Sequence, residues 1–131
     1  MKYLMLIYSN PEPWGHPSYL GIPETQAMGQ SERDTMLAEG EAWLDEIRQT
    51  GELVSAEALA APLTARTVRV RDNATLVTDG PYVEAKEQMA GVFVLDCATP
   101  ERAEELASRV PDARFSAVEL RPIMGSAGQE M

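Results

Sequence analysis

The sequence contains little cysteine and no long apolar run, and each shortage excludes a class of protein. Cys97 is the one cysteine, so no intramolecular disulfide can form, as is typical of proteins from reducing compartments. No apolar stretch approaches the roughly 18 residues of a membrane-spanning helix. The apolar run over residues 3–8 is too short for a signal peptide. We therefore expect a cytoplasmic protein with no membrane attachment.

Positive charge is scarce. The chain has 11 basic residues against 21 acidic ones and a net charge of −10. Such a surface repels phosphate backbones and anionic lipids, so we expect no nucleic-acid partner and no membrane partner. The densest basic cluster is Arg66, Arg69 and Arg71. We interpret it as the solvated face of a strand rather than as an anion site.

Patterns for metal and nucleotide binding are missing as well. His16 is the one histidine, and neither a second histidine nor a second cysteine completes a ligand set with it. The sequence has no glycine-rich phosphate loop and no Gly-x-Ser-x-Gly turn. We expect no metal and no cofactor, and we place Cys97 in the core of the fold.

Length and composition indicate one domain. The chain has 131 residues, of which 44% are hydrophobic, enough for a single core. A domain of this size still exposes much of its surface, so pairing would stabilise it. We assign residues 1–124 to the domain and the small, polar residues 125–131 to a flexible tail.

Apolar patterns predict six strands and two helices. The strands cover residues 3–8, 52–59, 67–71, 75–78, 91–97 and 117–122, and the helices run from Ser31 to Gly51 and from Thr99 to Pro111. Residues 9–30 hold four of the nine prolines. We expect a long loop there, with a short helical turn near its end. Long loops in compact domains are often functional, for example as lids.

Three local sequence features predict where the helices begin and what packs against them. Ser31 and Asp34 resemble a capping box at the start of the first helix, and Thr99 resembles an N-cap of the second. Gly40 lies within the apolar stripe of the first helix and lowers its helix propensity. We expect a close packing partner at Gly40, such as the sheet. The other residues of that stripe are Met36, Trp43 and Ile47.

The order of elements predicts an α+β fold. Residues 67–71 alternate valine with polar side chains, as in a half-buried strand, and form a hairpin with 75–78. Without this extra hairpin the order is βαββαβ, that of a ferredoxin-like fold. Two helices cover one face of the antiparallel sheet, so the other face needs a cover. We expect a homodimer in which a second copy provides it.

The stretch from Thr78 to Glu87 is the most unusual part of the chain. It places Asp79, Lys86 and Glu87 around a Gly-Pro turn. One interpretation is a solvated connection between two strands. The other is that the stiff turn holds Asp79 and Tyr82 at a cleft, where a carboxylate near Lys86 acts as general acid or base.

The same stretch carries a family resemblance. Asp-Gly-Pro-Tyr at 79–82, Glu-x-Lys-Glu at 84–87 and Ala-Gly at 90–91 resemble the signature of the YCII-related, DGPF-domain family. Agreement extends to residues 1–8, 51–59, 67–69 and 118–122. Tyr82 stands where the family usually has phenylalanine, and Ala90 replaces the first of two glycines.

The resemblance implies a dimeric α+β barrel, in agreement with the order of elements. Some family members occur beside or fused to extracytoplasmic-function sigma factors. Related dimeric barrels include muconolactone isomerases and cofactor-free monooxygenases. In simpler YCII-like members a His–Asp pair has been proposed as the catalytic centre. His16 is the one candidate for that histidine here, and a loop residue without a ligand is its alternative.

Glu119 and Arg121 share one face of the last strand, opposite Val118 and Leu120. If the apolar side packs under the helices, the two charges face the partner sheet. Buried charges need partners, so either Glu119 and Arg121 pair, or Arg121 receives an anionic ligand. Tyr3 or Tyr8, on the first strand, would supply a hydroxyl to the same cavity.

These features support two functional hypotheses. The first is a small-molecule enzyme or binder with a pocket between the sheet and residues 9–30. Asp79 or Glu87 would be its acid or base, and Lys86 would neutralise charge; its substrate-binding residues would be Tyr8, His16, Tyr82 and Arg121. The second is a regulatory or interaction module of a sigma-factor system. In a third alternative the charged motif only seals the dimer.

Overall fold

The computed structural model of the chain describes residues 1–125 and has an α+β architecture. The strands are β1 (Lys2–Ser9), β2 (Leu53–Ala58), β3 (Arg66–Arg71), β4 (Ala74–Asp79), β5 (Gln88–Asp96) and β6 (Ala117–Pro122). The helices are α1 (Pro23–Gln26), α2 (Gln30–Thr50), α3 (Pro100–Ser108) and α4 (Asp112–Phe115), with single 3-10 turns at Ser18–Leu20 and Pro62–Thr64. Of the predicted tail, residues 126–131 lie outside the described part of the chain.

Four strands form one antiparallel sheet in the order β2-β5-β1-β6, while β3 pairs with β4. Without the hairpin this is a ferredoxin-like arrangement, so the predicted fold class is confirmed. The four-stranded sheet stays open at its edges β2 and β6 and does not close into a barrel within one chain. Among residues 1–125, no helix combines the length and the apolar character that crossing a membrane requires.

Helix α2 is ended by a glycine and begins differently from the prediction. Gly51 adopts φ +79°, in the left-handed region that glycine reaches most easily. The capping-box prediction is wrong, because the helix starts one residue before Ser31 without a side-chain cap. Asp34 instead accepts a hydrogen bond of 2.7 Å from the amide of Gln30. The buried residues of α2 are Met36, Trp43 and Ile47, as predicted.

Helix α3 begins as predicted. The hydroxyl of Thr99 accepts a hydrogen bond of 3.1 Å from the N–H of Arg102, and Pro100 occupies the first position. The helix stops at Ser108, short of Pro111, and the unpredicted helix α4 follows. The buried residues of α3 are Ala103, Leu106 and Ala107.

The core lies between the sheet and helices α2 and α3. Trp43 packs edge-to-face against Phe93, with ring centroids 5.3 Å apart. Its indole N–H donates to the carbonyl of Leu106 at 3.0 Å, which joins α2 to α3 and satisfies a buried donor. Cys97 is buried in the same core, as predicted, and burial raises the pKa of its thiol.

An ion-pair cluster joins α2, the start of β2 and α3 at the surface. Arg102 donates to Glu52 at 2.8 Å and to Glu46 at 2.9 Å. Arg109 donates to Glu46 at 2.8 Å. The hydrogen bonds from Arg109 and Arg102 lower the pKa of Glu46 to about 2. The planar guanidinium groups thus fix how the two helices sit against each other.

The β3–β4 hairpin is a two-stranded sheet of its own. It turns at Asp72 and Asn73, which both adopt positive φ, the geometry of a two-residue hairpin turn. The prediction that β3 is half-buried through its valines is wrong for the single chain. Val68 and Val70 are 60% and 59% exposed, because the hairpin does not join the four-stranded sheet.

Side chains alternate between the two faces of the four-stranded sheet. Met5 of β1 lies in the core, so Leu4 and Leu6 point to the other face. Across the ladder, Leu4 pairs with Val94 and Leu6 pairs with Val92. These four apolar side chains are named the open sheet face.

Candidate functional site

A cavity of about 510 Å³ lies between α2, the neighbouring strands β2 and β5, and the 9–30 segment. Its wall is mostly apolar and includes Leu37, Leu44, Leu53, Phe93 and Val110. Its polar side chains come from the 9–30 segment and the start of α4, and three charged ones come from α2 and β2, namely Glu41, Arg48 and Glu57. A concave, apolar site of roughly 300–1,000 Å³ with a few polar groups is typical of small-molecule binding.

The 9–30 segment is held in place by its own backbone and by the end of β2. The N–H of Glu12 donates to the carbonyl of Gly21 at 3.0 Å and closes the segment into a loop. Gly21 is needed there, because a Cβ would lie 2.7 Å from the Cβ of Pro11. The indole N–H of Trp14 donates to the carbonyl of Leu59 at 2.9 Å. The predicted helical turn near the end of the segment is confirmed by α1.

His16 lies at the exposed rim of the cavity in a defined orientation. Its Nε2 is 2.8 Å from the carbonyl oxygen of Leu59. A carbonyl oxygen only accepts, so Nε2 carries the hydrogen and Nδ1 of the neutral ring has a free lone pair. Trp14 packs against the imidazole edge-on, with ring centroids 6.3 Å apart. Nδ1 is therefore the nitrogen able to accept a proton.

Asp112, the first residue of α4, brings a buried carboxyl group to the same cavity. Its side chain is 4% exposed, and the hydroxyl of Ser18 donates to Oδ2 at 2.8 Å. Burial raises the pKa of Asp112, while the Ser18 hydrogen bond, its own backbone N–H and the charge of His16 act in the opposite direction. The carboxyl group thus ties the 9–30 segment to α4 and lies within electrostatic reach of His16.

Tyr19 contributes a phenol to the cavity wall. Its side chain is 8% exposed, and its hydroxyl oxygen lies 2.6 Å from the position of a Cβ on Gly40. Gly40 therefore has the close partner that the sequence predicts, but the partner is Tyr19 rather than the sheet. Burial, with the charges of Asp112 and Glu41, raises the pKa of Tyr19 to about 12.

The residues of the Gly-Pro turn lie away from this cavity. Asp79 ends β4 with a side chain that is 87% exposed and forms an ion pair of 3.3 Å with Arg66. Tyr82 is 77% exposed, and the guanidinium of Arg69 lies 5.4 Å from its ring centroid. Their roles as acid or base and as pocket residue remain predictions.

Lys86 and Glu87 border a second hollow of about 420 Å³ between the 9–30 segment and the residues that precede β5. Both side chains are exposed, and Ser116 closes part of the floor. The structure therefore brings these two predicted residues together beside the predicted loop. It does not bring them to the cavity that holds His16.

Tyr8 and Arg121 belong to the edge region of the sheet formed by β1 and β6. Arg121 donates to Glu119 at 3.3 Å, which is the mutual ion pair considered as one of two alternatives. Val118 packs against the core, so these charges lie on the same side as the open sheet face, as predicted. Tyr8 pairs with Ala117 of β6.

Three residues of the cavity are not predicted by any local sequence pattern. Ser18 and Tyr19 follow the predicted loop histidine, and Asp112 comes 94 residues later in the chain than Ser18. The available signal is Gly40, whose place in an apolar stripe indicates a close neighbour. Within residues 1–125, no three His, Cys, Asp or Glu side chains gather where they would hold a metal ion.

Comparison with known proteins identifies the family. The YCII-related domain matches residues 1–126. An uncharacterised protein of Rhizobium meliloti (strain 1021) is 30% identical over 101 residues, which cover 76% of this chain and 82% of that protein. The family match over residues 1–126 spans both the loop with His16 and the Gly-Pro motif, and the chain belongs to the YCII-related domain family.

Proposed function

We propose that the protein binds a small, largely apolar molecule in the 510 Å³ cavity and exchanges a proton with it through His16. The observation that carries this proposal is the hydrogen bond from Nε2 of His16 to Leu59, which leaves Nδ1 free, with the buried carboxyl group of Asp112 within electrostatic reach of the ring. Imidazole is the side chain best suited to take and return a proton near neutral pH. Asp112 would serve as the acidic member of the His–Asp pair that the family resemblance implies.

In this proposal the two residues have separate tasks. Nδ1 of His16 takes a proton from an acidic C–H or O–H of the bound molecule and later returns it. The carboxylate form of Asp112 stabilises the imidazolium that forms in between. Asp112 is buried while His16 is accessible at the rim, and burial of the carboxyl group strengthens its electrostatic effect. Ser18 keeps the carboxyl group in place through its hydrogen bond of 2.8 Å.

The test is deuterium exchange into weak carbon acids. Small neutral ketones, including acetophenone, are incubated with the protein in D2O, and the α-hydrogens are followed by proton NMR. We expect the wild type to accelerate exchange for at least one ketone and His16→Asn to lose about 10²-fold. Asparagine keeps an N–H for Leu59 but has no basic nitrogen.

Trp14→Phe is the matched control, because it removes the other donor to the Leu59 carbonyl and keeps the imidazole. It should cost far less than His16→Asn. Equal rates for wild type and His16→Asn would contradict the assignment of the base.

Lys86 and Glu87 remain candidates for a second polar site. They share their hollow with Asn10 and Glu12 of the 9–30 segment, which supports the predicted pocket beside that segment. If Glu87 is the acid or base instead of His16, Glu87→Gln should abolish the exchange that His16→Asn leaves intact. Asp79, Tyr82 and Arg121 would join a site only by way of a partner subunit.

We also propose that the open sheet face is covered by a second copy of the chain. Leu4, Leu6, Val92 and Val94 form an apolar strip on the side away from the helices. Leu4, Val92 and Val94 are half-buried and Leu6 is 9% exposed, and a partly exposed apolar strip of this kind is suited to an interface. Light scattering should give a dimer for the wild type and a monomer for Val94→Glu. Val77→Glu, a control on the exposed hairpin, should remain a dimer.

The hairpin favours a second candidate function, an interaction module. Its valines, Val68, Val70 and Val77, are more than half exposed and lie outside the open sheet face. A recombinant extracytoplasmic-function sigma factor is the partner to test by titration. Binding that Val77→Glu abolishes and His16→Asn preserves would support this candidate. The cytoplasmic location, predicted from the lone cysteine, is required by it.

A further inference from the structure

Tyr19 is a buried polar side chain whose hydroxyl has no partner in the protein. The side chain is 8% exposed, and among residues 1–125 neither side chains nor backbone groups hydrogen-bond to its hydroxyl. Among residues 1–125, only Ser116 Oγ is a side-chain polar atom that is both sealed from solvent and without a hydrogen-bond partner, so the Tyr19 hydroxyl is not fully sealed. The Tyr19 hydroxyl therefore opens onto the cavity that the residue lines.

The space for this hydroxyl is provided by a glycine that lowers the stability of helix α2. Gly40 lies in the middle of a helix of 21 residues, where glycine is less favourable than alanine by about 0.5–1 kcal/mol. A Cβ on Gly40 would lie 2.6 Å from the hydroxyl oxygen. If Tyr19 only packed in an apolar core, phenylalanine at this position would pack equally well and would bury no polar atom. A buried hydroxyl normally has a hydrogen-bond partner, so a bound molecule is the natural one.

The surrounding charges decide what this hydroxyl can bind. Asp112 and Glu41 line the same cavity and help to raise the pKa of Tyr19 to about 12, after burial itself. Tyr19 therefore stays a neutral phenol that donates a hydrogen bond at every ordinary pH. These two carboxyl groups, together with Glu57 on the same wall, repel an anion. Arg48, the one arginine on the wall, is exposed and belongs to the helix surface.

We propose that the cavity selects a neutral, mainly apolar molecule that carries a carbonyl oxygen, which accepts a hydrogen bond from the Tyr19 hydroxyl. This inference rests on the proposed function, because it places the ligand in the cavity of His16. It adds the chemical class of the ligand and a second polar contact. The apolar wall takes the body of the molecule, and Tyr19 fixes the oxygen.

The experiment uses three probes of similar size: acetophenone, ethylbenzene and benzoate. Each is titrated into the full-length protein, and the two indole N–H signals of its two tryptophans are followed by NMR. Trp43 lines the cavity and reports binding there. Ethylbenzene is the more hydrophobic neutral probe, so acetophenone and ethylbenzene are each compared between protein variants, while benzoate is compared with acetophenone on the wild type.

We expect Tyr19→Phe to lower the affinity for acetophenone by about three- to tenfold, the usual contribution of one hydrogen bond. The affinity for ethylbenzene should change by less than about twofold. Benzoate should bind the wild type at least about tenfold more weakly than acetophenone, since one repelled charge is worth that much or more. Thr75→Val, which removes a hydroxyl from an exposed position of the hairpin, should alter none of the three.

Equal weakening of acetophenone and ethylbenzene by Tyr19→Phe would overturn the inference, because it would show a packing effect alone. Benzoate as the tightest probe would overturn it as well. If none of the three probes moved the Trp43 signal, the binding cavity itself would be refuted. If acetophenone bound as expected but its α-hydrogens did not exchange, only proton transfer by His16 would fail.

Discussion

The hydroxyl of Tyr19 occupies the space that a methyl group on Gly40 would need, with 2.6 Å between the oxygen and the ideal Cβ position. The two residues come from different parts of the chain, a loop and the middle of α2. Their contact links the backbone of a long helix to the polar end of the cavity. A substitution at Gly40 should therefore affect Tyr19, and a substitution at Tyr19 should change whether residue 40 tolerates a side chain.

Gly40→Ala should destabilise the protein even though alanine is the better helix former. The added methyl group forces Tyr19 out of its position, and overpacking of this kind costs about 1–3 kcal/mol. In a Tyr19→Phe background the nearest ring atom lies 3.6 Å from the new methyl group, an ordinary contact. There the same substitution should stabilise the fold by about 0.5–1 kcal/mol.

The measurement is urea unfolding of the two single variants and the double variant. A change of sign between the two backgrounds is the expected result. If Gly40→Ala had the same effect in both, the hydroxyl would not be what excludes a side chain at residue 40.

Much of the fold follows from the sequence because its signals are local. Gly51 ends α2 in the left-handed conformation, and Thr99 caps α3; both depend on the neighbouring residues alone. The capping box at Ser31 failed, because Gln30 competes for Asp34 inside the helix. The burial of Val68 failed for a different reason, since alternation does not say whether anything covers the strand.

The candidate site is harder to predict because its contacts are not local. Ser18 and Asp112 are 94 residues apart in the chain and 2.8 Å apart in space. No spacing rule connects them. His16 stands out by being unique, whereas the charged motif around Asp79 stands out by composition. The motif identifies the family, but the structure places Asp79 at the end of the hairpin and Lys86 and Glu87 beside the second hollow, away from the cavity of His16.

Glu46 should make the fold sensitive to acid. Its pKa is lowered to about 2 by hydrogen bonds from Arg109 and Arg102, well below the usual value of a glutamate. A lowered pKa contributes stability that is fully present above the ordinary value near 4.5 and is lost as the pH falls towards 2. Glu46→Gln should therefore be less stable than the wild type at pH 7 and nearly equal to it at pH 2.

Glu39→Gln is the control on the same helix, since Glu39 is exposed and forms no ion pair among residues 1–125. Thermal unfolding between pH 2 and pH 7 would show the difference. A constant gap between wild type and Glu46→Gln over this range would mean that the arginines do not hold this carboxylate.

The hairpin should unfold without the rest of the domain. Asn73 adopts φ +62° at the turn between β3 and β4, and a β-branched residue there is strained by roughly 1–2 kcal/mol. Asn73→Val should speed hydrogen exchange of the amides in β3 and β4 and leave those of β1 and β5 unchanged. A matching loss of protection in β1 would show that the hairpin and the four-stranded sheet unfold together.

Asp112→Asn should change how stability depends on pH. Burial raises the pKa of Asp112 in the folded protein above its unfolded value near 3.8, so the folded state holds the proton more tightly. Stability of the wild type therefore declines as the pH rises from the unfolded value through the raised folded value. Asparagine has no charge to bury, so the stability of the variant relative to the wild type should rise over this same pH interval. The variant should remain the more stable protein at neutral pH.

Urea unfolding at several pH values from 3 to 8 measures this difference. The control is Asp72→Asn, at an exposed carboxyl group that forms no ion pair among residues 1–125. The deuterium-exchange assay on the same samples separates stability from function. Because Asp112 is proposed to stabilise the imidazolium of His16, Asp112→Asn should be a stable protein that exchanges protons poorly. A variant as active as the wild type would leave Asp112 with a structural task alone, while a variant that lost stability at neutral pH would contradict the burial cost.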